Sequence, residues 1–104
     1  MATIVNITYE KIVFSDGNEL THFHDKFCCE ENYADFEQLD DIARNCDFDT
    51  ANMKFELVEG SGFRFGNEGR MFFIPCYSEQ NGFYSSDVSI LWNGEPVLEV
   101  IVDI

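Results

Sequence analysis

The chain has 104 residues, 45% of them hydrophobic and 15% aromatic, and a formal net charge of −14 from twenty Asp and Glu against six Lys and Arg. That length and apolar content imply one domain around one core and exclude a disordered acidic tail. The charge balance works against direct binding of nucleic acid or an anionic membrane, since both need cations facing phosphate.

The acidity favours a basic protein partner; the plain alternative is that charge keeps a Phe-rich body soluble. No basic segment followed by an apolar run is present at the start, and no apolar run is long enough to cross a bilayer. The expected location is therefore the cytoplasm, where Cys28, Cys29, Cys46 and Cys76 are expected as reduced thiols.

Taken in order, Thr3 to Phe14 is rich in β-branched residues and reads as one strand, or as two with a bend. Ser15-Asp16-Gly17-Asn18 is a turn, and Glu19 to Phe23 returns as a second strand. Strand alternation places His22 and His24 on one face and Phe23 on the other, with Phe23 expected inward. A helix is predicted from about Tyr33 to Cys46, with Asn32 as its N-cap and Asp35 in the first turn. Phe36, Leu39, Ala43 and Cys46 form its apolar stripe, with Glu37 and Asp41 opposite and Asp40–Arg44 as an i, i+4 pair.

Met53 to Val58 alternates as a half-buried strand, a short strand follows around Phe63 and Phe65, and Arg70 to Tyr77 is a more continuously apolar strand, expected to be central. Pro75 is expected to mark a strand end or an edge. The last two strands, Phe83 to Trp92 and Val97 to Ile104, flank Asn93-Gly94. A two-residue loop mismatches their apolar faces. A three-residue loop pairs Trp92 with Pro96, Ile90 with Leu98 and Val88 with Val100, leaving Gly94 left-handed. The sum is an α+β domain, residues 1–104, with a mostly antiparallel sheet of about six or seven strands and one amphipathic helix over 33–46.

Three chemistries have candidate residues. His22, His24, Cys28 and Cys29, with Cys46 and Cys76 further on, carry zinc-ligand atoms, but the spacing lacks a C-x-x-C and the cysteines suit small buried positions. A cysteine nucleophile at Cys28 or Cys29 is disfavoured, because Asp25, Glu30 and Glu31 would hold a thiol protonated. The glycines from Glu59 to Gly69 lack the G-K-[ST] ending of a phosphate loop and read as hairpin turns. No cofactor and no catalytic residue is expected. Tyr77, Phe83 and Tyr84 are aromatic enough to line an interface, although sheet core is the simpler use.

The acidic residues are the stronger signal. The stretch from His22 to Asp49 holds nine of the twenty acids and only Lys26 and Arg44 against them, so about a quarter of the chain carries half of the net charge. Glu30, Glu31, Glu37, Asp40, Asp41, Asp47 and Asp49 are the candidate partner-binding residues.

His24-Asp25-Lys26-Phe27-Cys28-Cys29-Glu30 and Asn81-Gly82-Phe83-Tyr84-Ser85 resemble an H-x-x-x-C-C-E patch and an N-G-[FY]-Y-S patch of small uncharacterised proteins from phages and mobile elements. The resemblance implies such a setting and transfers no activity. In size and acidity the chain is also similar to anti-CRISPR-type inhibitors. The expectation is a non-enzymatic nucleic-acid mimic that blocks a basic partner, such as a host nuclease or CRISPR effector. The alternatives are a zinc-binding or redox-responsive domain and a domain that serves only folding or self-association.

Overall fold

The structure is a computed structural model, and it describes residues 1–24, 31–79 and 86–102. Among the described residues nine strands form two antiparallel sheets. The first sheet has the order β1 (Ile4–Ile7), β2 (Lys11–Phe14), β3 (Glu19–Phe23), β8 (Asp87–Trp92) and β9 (Glu95–Ile101). The second has the order β4 (Glu31–Ala34), β7 (Arg70–Glu79), β6 (Gly62–Asn67) and β5 (Lys54–Val58).

The predicted helix over 33–46 is not formed, and the fold is all-β rather than α+β. Tyr33 and Ala34 belong to β4, paired with Tyr77 and Cys76 of β7. The rest of the segment makes two 3₁₀ turns, Phe36–Gln38 and Asp41–Asn45; a third, Thr50–Asn52, follows. Two causes are visible. Strand pairing claims the backbone donors of the would-be first turn. Leu39 and Asp40 then stay extended, and the Asp40 carboxylate accepts the Ile42 N–H at 3.0 Å, restarting the chain in a new turn. The apolar periodicity still marked burial correctly: Phe36, Leu39 and Ala43 are buried and Cys46 is half-buried. Arg44 lies 3.8 Å from Asp41 at i, i+3, not beside Asp40 at i, i+4.

The stretch from Thr3 to Phe14 is two antiparallel strands, with Ile4 opposite Phe14 and Ile7 opposite Ile12. The following hairpin closes over Ser15, Asp16 and Gly17, with Gly17 at φ 90°. At Asn93-Gly94 both residues take positive φ, 53° and 83°, so the tip is a two-residue turn with Trp92 opposite Glu95. The register then slips by one residue between Ile90 and Leu91, leaving Val97 as a bulge. Ile90 thereby meets Leu98 and Val88 meets Val100, the apolar match that the alternation demanded.

Pro75 lies inside the ten-residue β7, not at its end. It sits where β7 changes partner: pairing with β6 stops at Gly62–Pro75, and pairing with β4 starts at Ala34–Cys76. A residue without an N–H is tolerated at that handover.

The core is aromatic. Phe14 from the first sheet meets Phe65 from the second edge-on at 6.4 Å, and Phe48 stacks on Phe65 at 5.9 Å. Ile12, Leu20, Val88, Ile90 and Val100 complete the inner face of one sheet, and Phe63, Ile74 and Cys76 that of the other. Isolated bridges between Ala2 and Phe48 and between Gly60 and Val102 tie the ends together. No helix among the described residues is long and apolar enough to cross a membrane.

Candidate functional site

Leu20 is fully buried, and strand alternation therefore carries His22 and His24 toward the interior and Phe23 outward. The expected direction of Phe23 is thus reversed: it is 55% exposed. His22 and His24 share a cleft of about 300 Å³ with Tyr9, Phe23, Glu31 and Asn32. His22 Nε2–H donates to the Tyr9 carbonyl at 3.0 Å, and its ring stands edge-on to Tyr9 and Phe36. Burial pushes the His22 pKa below its ordinary value. His24 lies 3.8 Å from the Asp87 carboxylate. Asn32, buried, donates to the Asp87 carbonyl at 3.1 Å and accepts from the Ser78 hydroxyl. This polar network joins β4, β7 and β8 where the two sheets meet, satisfying groups that would be costly to bury alone.

Among the described residues the arrangement does not favour metal binding. The nitrogen of His22 that faces Tyr9 is occupied as a donor. Burial pushes the Cys76 thiol up to about 12, far from a ligating thiolate. The Cys46 thiol donates to the Ile42 carbonyl at 3.2 Å. Among the described residues no three His, Cys, Asp or Glu side chains are grouped to hold an ion. Cys28, Cys29 and Glu30 lie outside the described residues, as do Phe83 and Tyr84.

The acidic candidates divide by role. Glu37, Asp41 and Asp47 are exposed, and the Asp41 side chain is 97% so. Asp40 is exposed while its carboxylate caps the second 3₁₀ turn. Asp49 is half-buried and structural: its backbone exchanges hydrogen bonds with the Asn67 amide at 2.8 and 3.0 Å, and its carboxylate accepts from Asn52 at 2.8 Å. These groups occupy successive turns rather than one helix face.

Glu31 belongs to a different surface. On the outer face of β4 and β7, Glu31 is directly opposite Glu79 and Tyr33 directly opposite Tyr77. Tyr9, from the turn after β1, packs on Tyr33 at 5.5 Å, and Tyr33 packs on Tyr77 at 5.6 Å. Tyr9 Oη donates to Glu31 at 2.8 Å and Tyr33 Oη to Glu79 at 3.4 Å. Burial, aided by the neighbouring carboxylates, holds both phenols above the ordinary tyrosine range, so they stay protonated donors. Gln38 closes the far end, donating to Asp35 at 2.8 Å and to Tyr77 Oη at 3.0 Å.

Sequence reading missed Tyr9, Tyr33 and Glu79. Their signal was the period-two pattern Glu31-x-Tyr33-x-Asp35 and Tyr77-x-Glu79, which the predicted helix obscured. In comparisons with known proteins, no family model, no curated protein and no solved structure matches the chain.

Proposed function

We propose that the protein is a non-enzymatic binder that blocks a basic, nucleic-acid-handling partner, a host nuclease or CRISPR effector, by presenting carboxylates where that partner expects phosphates. The single observation behind this reading is an acidic field left largely uncompensated. Among the described residues, four of the five Lys and Arg are engaged in ion pairs: Lys11 with Glu19, Arg44 with Asp41, Lys54 with Glu68 and Arg64 with Glu56. Such exposed pairs add about 0–1 kcal/mol each to stability. Their larger consequence is that few cations remain to offset twenty acids. A body so charged is drawn toward a positive groove at a rate that salt suppresses.

The test is retention of basic proteins from a host lysate at low and high salt, with the charge-reversed double variant Glu37→Lys and Asp41→Lys alongside. Both side chains are exposed, so the fold should persist. Retention should fall at high salt and drop about tenfold or more in the variant, because two reversals change the net charge by four. Retention that ignores both salt and reversal would rule out the electrostatic reading.

A further inference from the structure

We infer that the outer face of β4 and β7 receives an arginine side chain of the partner, with the guanidinium between Glu31 and Glu79 and against the Tyr33 and Tyr77 rings. This rests on the basic-partner reading above and says where contact is made and by which cation.

A directly opposed Glu–Glu pair is unfavourable in an antiparallel sheet, because the two Cβ atoms stand roughly 5 Å apart. Among the described residues no Lys or Arg pairs with either carboxylate. Tyrosine hydroxyls occupy one oxygen of each, Oε1 in both cases, and these neutral donors leave the charge in place. The repulsion is relieved once a cation sits between the carboxylates.

Beside that pair the rings of Tyr9, Tyr33 and Tyr77 form a stepped row, tilted by 38° and 42° at 5.5 and 5.6 Å. Aromatic faces attract cations, and a planar guanidinium can stack on a ring while its fork reaches carboxylates. An ammonium is a point charge with neither a planar face to stack nor a fork to span two carboxylates, so it matches the face less well. The sheet face is therefore complementary to arginine in charge, shape and hydrogen-bond polarity. Its acids continue past the rings to Asp35, so a basic segment lying along the strands meets further negative charge.

The probes are acetylated hexa-arginine and hexa-lysine peptides, titrated onto the intact chain by calorimetry. Hexa-arginine should bind about fivefold or more tightly than hexa-lysine. Glu31→Gln with Glu79→Gln should weaken hexa-arginine about tenfold and erase the preference, while leaving the protein folded and no less heat-stable. Glu95→Gln with Glu99→Gln removes the same charge from exposed positions of β9 and should change affinity less than about twofold. Equal losses in the two double variants, or equal affinity for both peptides, overturn the site while leaving the basic-partner reading intact. That reading fails separately, through salt-indifferent retention in the lysate experiment.

Discussion

Phe65→Ala is expected to lower the free energy of unfolding by about 3–5 kcal/mol, the usual loss for a phenylalanine cut back inside a close-packed core. Phe65 is fully buried on β6 and touches four other rings, those of Phe14, Phe48, Phe63 and Phe72. It joins the two sheets, and Phe48 anchors to it the segment that holds the acidic turns. Of those neighbours Phe14 and Phe63 lie on strands paired on both sides, so the site has little freedom to collapse into the space. For a domain of this size the melting temperature should fall by roughly 15–30 °C. Phe73→Ala, on the outer face and 41% exposed, should cost less than about 1 kcal/mol. Thermal denaturation of the two variants makes the comparison. Similar losses for both would mean that the aromatic core is not where the structure places it.

Gly66→Ala is expected to cost about 2–4 kcal/mol. Gly66 has φ 148°, in a region that side chains avoid, and an added Cβ would overlap the Arg70 carbonyl oxygen. That oxygen belongs to backbone on the paired strand, so relief requires opening the β6–β7 hairpin beside the Phe65 cluster. Gly69→Ala is the control. Gly69 has φ 82° but open space around the would-be Cβ, and its cost should stay near about 1 kcal/mol. Denaturant melts that rank Gly69→Ala as the more harmful of the two would contradict the tight approach of the strands at Gly66.

Much of this fold was legible because alternation survives in the sequence. The C-terminal hairpin is the clearest case. Asn93-Gly94 asked for a two-residue turn and the apolar residues asked for the longer register. The chain satisfies both with a bulge at Val97. The helix over 33–46 failed for a physical reason as well. Phe36, Leu39 and Ala43 are buried at near-helical spacing, but periodicity reports which residues face inward, not the backbone between them. The competing signals lay in Asp40, whose side chain starts a new turn, and in Tyr33-Ala34, which pair with a strand more than forty residues away. Long-range pairing of that kind leaves no local mark. For the same reason the tyrosine face went unread: Tyr9, Tyr33 and Tyr77 come from three separated segments. The acidic candidates were found as residues but mis-sorted by role, since Asp49 serves its own loop and Glu31 belongs with Glu79.

Two properties of the molecule act together in the proposed function, one general and one local. The general property is a charge of −14 on a 104-residue chain, which supplies attraction at a distance. The local one is a sheet face whose opposed glutamates and exposed rings are complementary to a guanidinium, supplying discrimination on contact. On the proposed reading, partners that grip nucleic-acid backbones through arginines would meet both.

The most direct measurement is displacement of a fluorescent duplex from the basic partner as this protein is added. Release of the duplex at one protein per partner, and harder to achieve as salt rises, is the expected result. Simultaneous binding of duplex and protein in a stable ternary complex would contradict occupation of the nucleic-acid groove.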